Sequence, residues 1–271
     1  YRDGWTRAPG SPISDDHLAI GDIFQDAPWA PELVVLPPNR FTMGSPIREP
    51  GRYDNEQQHE VSIGYRLAVG RYAVTFDEWD YAQARGWVKH KPKDEGWGRG
   101  RQPVINVSWH DAVAYAEALS RETGHDYRLL SESEWEYACR AGSPAAFSWG
   151  SNAITPEQAN YDGSVVYDGG GRKGIARGRT VPVDEPTFAP NDFGLWQMHG
   201  NVWEWCADAY EQDYGQVPDN GGAHDATGDD VSRVLRGGSW LNDPQLLRSA
   251  FRLRYPPDTR YLNVGFRLAR T

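Results

Sequence analysis

Regular hydrophobic periodicity is confined to the first half of this chain, and it fails almost completely after Gly142. Beyond that point come clusters of Gly, Pro, Asp and Asn, and then a final segment, 193–271, that is dense in Trp, Arg and Gly. Glycine and proline interrupt regular elements, so we expect short strands and much irregular chain there. The 271 residues include 12 Trp, whereas disordered chains are poor in aromatic residues. The sequence therefore predicts a loop-rich globular protein.

Three short segments carry the signature of a helix start, a Ser or Thr three residues before an acidic residue. The pairs are Thr75 and Glu78, Ser108 and Asp111, and Ser131 and Glu134. In such a capping box, each partner satisfies a backbone amide that the first helical turn leaves unpaired. We predict three helices, the second of which ends at Gly124 because glycine adopts the left-handed conformation of a helix end.

Two strands and one domain boundary are predicted before the first helix. Residues 32–36 form an apolar run that Pro37 ends, and residues 60–69 alternate well enough for a second strand. Residues 1–30 are rich in Asp, Pro and Gly, so we expect an N-terminal extension packed on a domain that spans residues 31–271. Because the chain begins with Tyr1, we also expect it to be a processed form or a fragment.

The charge and cysteine content exclude several classes of protein. There are 28 basic and 38 acidic residues, for a formal net charge of 28 − 38 = −10. This balance argues against nucleic acid or an anionic membrane as the main partner. No apolar run approaches the roughly 18 residues that a membrane span needs. Two cysteines, Cys139 and Cys206, are too few for a disulfide scaffold or a cysteine-based zinc cluster.

Several sequence blocks stand in an order that resembles the formylglycine-generating-enzyme family, also called the sulfatase-modifying-factor family. The blocks are residues 31–36, 41–45, 72–79, 103–112, 127–138, 200–205, 236–240 and 265–267. The resemblance covers about residues 31–271. It implies an α+β, C-type-lectin-like fold with small mixed sheets, two or three helices and much irregular chain, in agreement with the composition.

The resemblance also assigns a catalytic copper site, and this chain departs from it. Family enzymes bind copper through two cysteines just after the block at residues 236–240. Asn242 and Leu247 stand at those positions here, and neither can supply a thiolate. Cys139 and Cys206 lie elsewhere in the sequence. We therefore expect no copper and no generation of formylglycine by the cysteine–copper mechanism.

A metal-dependent oxidase of the same family, using a site other than the cysteine pair, is the alternative. The sequence resembles the iron-dependent sulfoxide synthases, which take their iron ligands from histidines on a separate helical domain. The 271 residues contain no such domain, and no two of the seven histidines stand four residues apart. Scattered surface histidines are the favoured interpretation.

A calcium site is a further implication of the resemblance. Carried onto this chain, its ligands are Gln197, Gly200, Val202 and Glu204, and a second cation site begins at Asn160. Carboxylate, amide and carbonyl oxygens suit a hard cation. Gln197 departs from the Asn or Asp of the family pattern. Without calcium, we expect Glu204 to pair with a buried arginine such as Arg236.

Four arginines of the C-terminal segment have two possible roles. They are Arg236, Arg248, Arg252 and Arg267. They could bind an anionic ligand, or their planar guanidinium groups could tie loops to the core, because irregular chain leaves many carbonyl groups unpaired. We favour the second role.

The C-terminal segment is expected to hold the function, as a ligand-binding face. Diverse, often bulky residues alternate there with a regular frame, an arrangement that resembles the variable proteins of diversity-generating retroelements. The candidate ligand-binding residues are Trp240, Leu241, Asn242, Asp243, Phe251, Leu253, Tyr255, Asp258, Tyr261, Leu262 and Asn263. Apolar side chains with a polar rim are typical of interfaces, so we predict a non-catalytic protein that binds a protein or glycan. In the alternative, these residues complete the core.

Overall fold

The computed structural model describes residues 17–226 and 231–271. Three α-helices lie in this part of the chain: α1 (Phe76–Ala84), α2 (Trp109–Thr123) and α3 (Glu132–Arg140). The strands are short, and they are β1 (Ile23–Phe24), β2 (Leu33–Leu36), β3 (Asn39–Met43), β4 (His59–Ile63), β5 (Leu67–Gly70), β6 (Tyr127–Leu129), β7 (Trp203–Ala209), β8 (Arg233–Arg236), β9 (Leu253–Tyr255), β10 (Val264–Phe266) and β11 (Leu268–Arg270).

All three predicted helices are present, and each begins with its capping box. The side chains of Thr75, Ser108 and Ser131 accept hydrogen bonds from the backbone amides three residues later. Asp111 closes the second box as well as a glutamate does, because its carboxylate reaches back to the Ser108 amide at 2.9 Å. Helix α2 ends at Gly124, whose φ of 76° is in the left-handed region. Local sequence signals therefore set the helix ends.

The strands form three small sheets rather than one large one. A five-stranded sheet has the order β1-β2-β5-β11-β6, and a four-stranded sheet has the order β10-β7-β8-β9. Strands β3 and β4 form a separate pair. Every pairing is antiparallel except that of β10 with β7. This mixed arrangement has the small sheets of the expected α+β fold.

The prediction of a single strand at residues 60–69 is wrong, because two separate strands, β4 and β5, lie there. Strand β4 ends at Ile63 and pairs with β3, whereas β5 begins at Leu67 and pairs with β2 and β11. The chain thus crosses from one sheet to another within three residues. Periodicity did not reveal this break: β4 alternates, whereas all four residues of β5 are buried, and only Gly64, Tyr65 and Arg66 separate the two strands.

The predicted N-terminal extension lies only partly within the described chain. Residues 1–16 lie outside it. Within residues 17–30, Leu18 and Phe24 are buried. Strand β1 pairs with β2, with Phe24 opposite Leu33, and so forms one edge of the five-stranded sheet.

The core is built from large aromatic side chains. Trp79 stacks on Tyr115 at 5.6 Å between ring centroids, and both rings contact Phe266 edge-on. Trp203 and Trp205 of β7 are also fully buried, and the Trp205 indole donates to the carbonyl of Val107 at 3.1 Å. Aromatic residues bury much area each, so a few of them supply the core of a domain with little regular structure.

The C-terminal arginines tie loops to this core, as the sequence analysis favoured. Arg252 donates to both carboxylate oxygens of Glu132 at 2.6 and 2.8 Å and to the carbonyl of Asn55 at 3.0 Å. Arg236 binds Glu136 and the carbonyl of Phe251. Each guanidinium joins a buried carboxylate to an irregular stretch of backbone.

Arg248 makes a second such cluster on the loop that follows β3. Its Nη1 donates to Glu49 and Glu56 at 2.7 Å each, and its Nη2 donates to Glu56 at 2.7 Å and to the carbonyl of Gly51 at 2.6 Å. Glu49 and Glu56 are buried, and an unmet buried polar group costs about 1–3 kcal/mol.

We expect Arg252→Ala to lower the free energy of unfolding by about 3–5 kcal/mol, because it removes both hydrogen bonds to the buried Glu132 carboxylate and leaves only Arg236 Nε, 3.6 Å away. Arg254→Ala is the matched control, since Arg254 is an exposed arginine two residues away that faces the Tyr210 ring. The control is expected to cost less than about 1 kcal/mol. Urea denaturation of the two variants measures the difference, and equal losses would contradict the role of Arg252.

Candidate ligand-binding face

The two positions that the resemblance assigns to copper-binding cysteines are occupied by protein contacts. The Asn242 side-chain oxygen accepts a hydrogen bond from the Ser239 hydroxyl at 2.5 Å. The carbonyl of Asn242 accepts from the amide of Asp162 at 3.0 Å. Leu247 is fully buried, and its carbonyl accepts a hydrogen bond from the imidazole Nδ1 of His199 at 2.7 Å. This pair of positions offers no thiolate.

The two cysteines do not replace the missing pair. Cys139 is fully buried, with its Sγ 3.6 Å from Nε2 of His199. Burial raises the pKa of the Cys139 thiol to about 12 and lowers the pKa of His199 to about 4, so both groups are neutral near pH 7. Cys206 is buried on β7, and burial raises the pKa of its thiol well above the usual value. Neither thiol has the character of a reactive cysteine.

Nine of the candidate ligand-binding residues reach the surface. Four are exposed, namely Leu241, Asp243, Asp258 and Tyr261, and five are half-buried, namely Trp240, Asn242, Leu253, Tyr255 and Leu262. Leu241 is 55% exposed and Tyr261 is 50% exposed. We call these nine residues the C-terminal face.

Phe251 and Asn263 are corrections to the predicted set. Phe251 is only 8% exposed, and its ring packs against Trp203 of the core at 5.8 Å. Asn263 is 9% exposed, and its side-chain amide donates to the Ser239 hydroxyl at 3.0 Å. Both side chains belong to the frame beneath the face, because one fills core volume and the other satisfies a buried hydroxyl.

Two hydrogen bonds and one aromatic contact join the separate parts of the C-terminal face. The hydrogen bonds from Asn263 to Ser239 and from Ser239 to Asn242 bring the end of the loop at 256–263 beside residues 239–242. The ring of Tyr255 meets the ring of Tyr261 edge-on at 5.2 Å, which joins β9 to the same loop. Residues that are distant in sequence thus lie next to one another on this side of the molecule.

Trp97 is a neighbour of the face that the sequence analysis did not select. Its ring meets the ring of Trp240 edge-on at 5.3 Å, and both side chains are half-buried. Trp97 lies between Gly96 and Gly98, which both have positive φ. A tryptophan in a glycine-rich turn was the only sequence signal for Trp97. Its contact with Trp240 could not be predicted, because more than a hundred residues of sequence separate the two side chains.

The predicted calcium ligands are also engaged by protein groups. Glu204 accepts a hydrogen bond from the Trp135 indole at 2.7 Å and pairs with Arg267, whose Nη2 lies 2.9 Å from its carboxylate. Glu204 therefore has the buried arginine partner that was expected without calcium, but the partner is Arg267. Arg236, named as an example, binds Glu136 instead.

Two further members of the predicted calcium set, Gln197 and Gly200, also accept hydrogen bonds within the protein. The side-chain oxygen of Gln197 accepts a hydrogen bond from the side-chain amide of Asn201 at 2.6 Å. The Gly200 carbonyl accepts a hydrogen bond from the backbone amide of Val202 at 2.9 Å. The side-chain oxygen of Asn160 has no hydrogen-bond partner within the described residues. At the second predicted site, the neutral side-chain oxygen of Asn160 alone is a poor ligand set for calcium. At the first site, the guanidinium of Arg267 beside the Glu204 carboxylate repels a divalent cation. The pairing of Glu204 with Arg267 therefore argues against a calcium ion at the first predicted site.

Residues 21–271 match the sequence model of a protein family, the sulfatase-modifying factor enzyme 1-like domain. The chain belongs to this family. The family and the fold inferred from the sequence blocks are thus confirmed. Within residues 17–226 and 231–271, no helix is long and apolar enough to cross a membrane, and no three His, Cys, Asp or Glu side chains are grouped for metal binding.

Curated relatives of this chain include two kinds of enzyme. It is 37% identical to a formylglycine-generating enzyme of Thermomonospora curvata in an alignment 181 positions long, and this alignment covers 63% of this chain and 56% of the relative. It is 31% identical to a hercynine oxygenase of Mycobacterium tuberculosis in an alignment 258 positions long, and this alignment covers 82% of this chain and 56% of the relative. The chain spans about half the length of these curated relatives.

Solved structures resemble the family member over nearly its full length. PvdO from Pseudomonas aeruginosa is 35% identical with a TM-score of 0.80, and the match covers 93% of this chain and 99% of PvdO. Treponema denticola variable protein 1 is 23% identical with a TM-score of 0.72, and the match covers 92% of this chain and 98% of that protein. The second likeness shows that the two proteins share a fold.

We expect the melting temperature to be the same in millimolar calcium and in a chelator, because Arg267 already neutralises Glu204. Binding to the native state alone would add about 2.7 kcal/mol at a hundredfold excess over Kd, which thermal unfolding detects easily. A calcium-dependent rise in melting temperature that Glu204→Gln abolishes would restore the calcium site.

Proposed function

We propose that this protein is a non-catalytic ligand-binding protein and that the C-terminal face holds the ligand. The observation that supports the proposal is the alternation of exposure along the segment 240–262. Frame residues such as Leu247, Arg248 and Arg252 are buried, while bulky residues between them, such as Leu241 and Tyr261, reach solvent. Exposed large apolar side chains beside polar ones are typical of a binding site.

The environment of the family's copper position supports a non-catalytic role. Asn242 and Leu247 replace the two cysteines, and Asn242 forms a hydrogen bond with Ser239. Cys139 and Cys206 are buried neutral thiols. A thiolate pair is the ligand set that binds copper in this family, so the chemistry that generates formylglycine lacks its ligands here.

A second candidate function is that of a metal-dependent oxidase with a different site. The relation to a hercynine oxygenase, at 31% identity over 82% of this chain, favours it. If the protein is an oxidase of this kind, we expect iron or copper to be bound to the purified protein. Elemental analysis therefore separates the two candidates. Stoichiometric iron or copper favours the oxidase.

We expect no formylglycine product when the protein is incubated with a cysteine-containing sulfatase-motif peptide, copper and a thiol reductant. The reason is that positions 242 and 247 supply no thiolate. Mass spectrometry of the peptide measures the outcome, and a formylglycine-generating enzyme serves as the positive control. Detection of the aldehyde product would overturn the non-catalytic assignment.

We expect Tyr261→Ala and Leu241→Ala to leave the free energy of unfolding within about 0.5 kcal/mol, because both side chains are largely exposed. Phe251→Ala, the matched buried position, is expected to cost about 3–5 kcal/mol. Denaturant titration tests this contrast between face and frame. Large losses at Tyr261 or Leu241 would show that the face is part of the core.

The same surface variants test binding directly. Screening the wild-type protein against a glycan array and a displayed peptide library supplies a probe ligand. Tyr261→Ala and Leu241→Ala are expected to weaken binding of that probe while the melting temperature stays unchanged. Probes that bind both variants as tightly as wild type would contradict a ligand site on this face.

A further inference from the structure

One carboxylate in the interior of the protein lacks the arginine partner that the others have. Of the Asp and Glu residues that the structure describes, seven are buried, and six of these are ion-paired with arginine. The six are Glu49, Glu56, Glu132, Glu134, Glu136 and Glu204. The seventh is Asp208 of β7, which is 0% exposed and forms no ion pair with a described residue. Its charged form is costly, because no cation offsets the loss of water.

The two carboxylate oxygens of Asp208 accept hydrogen bonds from backbone amides of two different parts of the chain. Oδ2 accepts from the amide of Glu132, the first residue of α3, at 2.7 Å. Oδ1 accepts from the amide of His224 at 2.9 Å. The next residue of β7, Ala209, donates through its own amide to the His224 carbonyl at 2.8 Å. Asp208 therefore joins β7 both to the start of α3 and to the irregular segment 219–225.

The segment 219–225 forms part of the wall of a cleft of about 500 Å³. Residues 220–223 line this cleft together with residues of β4, β6 and β7. The Gly221 carbonyl accepts a hydrogen bond from the Ser131 hydroxyl at 2.7 Å. The segment contains no large apolar side chain, so hydrogen bonds rather than apolar side-chain packing hold it in place. A stretch of chain held in this way can open locally while the core stays folded.

The titratable groups beside Asp208 on α3 and β7 supply no positive charge. Burial, followed by the nearby Glu132 carboxylate, raises the pKa of Asp208 to about 7, and Glu134 raises it further. The two amide hydrogen bonds lower this pKa only in part. On β7 itself, the buried Cys206 thiol has a pKa well above its usual value and is neutral. Near neutral pH, Asp208 is therefore divided between its neutral and charged forms.

We propose that Asp208 is a pH-sensitive latch, which holds the segment 219–225 at the cleft in acid and releases it as the pH rises. The neutral side chain joins β7, α3 and the segment without a buried charge, whereas the ionised carboxylate gains by reaching water. The segment gives way rather than α3, because Arg252 and Arg236 fasten that helix to the C-terminal segment. The cleft is therefore wider at neutral and alkaline pH than in acid.

Proton linkage gives the direction and size of this effect. When the segment opens, Asp208 meets water and returns toward the ordinary pKa of 3.8 for an aspartate. The closed form thus holds a proton that the open form releases. The stabilisation of the closed form is fully present below about pH 3.8, falls as the pH rises, and is lost above about pH 7. One linked proton changes the opening equilibrium by at most about tenfold per pH unit.

Hydrogen exchange of the whole protein, followed by mass spectrometry of the peptide that covers residues 219–225, measures opening of the segment. Protection factors, corrected for the intrinsic exchange rate at each pH, are expected to fall by up to about tenfold per unit between about pH 5 and 7 and then to level off. Asp208→Asn, which cannot ionise, is expected to remove this slope, whatever its effect on the protection at a single pH. A flat wild-type profile, or a slope that persists in Asp208→Asn, would overturn the latch.

Two variants and one reference helix serve as controls. Asp219→Asn makes the same chemical change at an exposed aspartate of the segment and is expected to keep the wild-type slope. His224→Gln removes an imidazole whose Nε2 lies 3.2 Å from the Glu211 carboxylate, and it is also expected to keep the slope. Loss of the slope in either control would assign the pH dependence to another group. Peptides of α2 are expected to be at least about tenfold more protected than the segment, and equal protection would show that the segment opens only by global unfolding.

Discussion

Two buried carboxylates on helix α3 hold the C-terminal segment to the rest of the protein. Glu132 and Glu136 stand four residues apart on the helix, and each receives an arginine from that segment, Arg252 and Arg236. Burial alone would raise the pKa of Glu136, but the charges of Arg140 and Arg236 outweigh it and the pKa lies below its ordinary value. The carboxylate is therefore charged at neutral pH, and the arginines cannot leave without stranding it.

This network also explains how a protein with so little regular structure satisfies its backbone. Besides its carboxylate, each arginine donates to a carbonyl in irregular chain, as Arg252 does to Asn55 and Arg140 does to Gly44 at 2.7 Å. A guanidinium group has five N–H donors in fixed directions, so one side chain can replace several missing ladder hydrogen bonds. Removing one partner of such a pair is costly, so the frame tolerates change poorly while the surface tolerates it well.

The parts of the structure that the sequence predicted are those that short-range chemistry determines. The capping boxes at Thr75, Ser108 and Ser131 fix the helix starts within four residues of chain, and the ordered blocks fix the fold. The arginines were identified by type, but no signal in the sequence identified Glu132 as the partner of Arg252. Its pairing with Arg252 spans 120 residues. The burial of Phe251 depends on the same kind of long-range packing, so alternation in sequence placed it wrongly on the face.

One position links the copper site that the resemblance implies to the rigidity of the frame. Leu247 stands where the family enzymes place a cysteine, and its side chain is wedged between two glycines with positive φ. An added Cβ would lie 2.7 Å from Leu247 Cδ1 at Gly238 and 3.0 Å from Cδ2 at Gly200. The smaller cysteine would leave part of this space empty, and a cavity in a core costs stability in proportion to its volume. Leu247 therefore fixes the loop that carries Leu241 and Asn242, so the position to which the resemblance assigns a copper ligand holds the proposed binding surface in place.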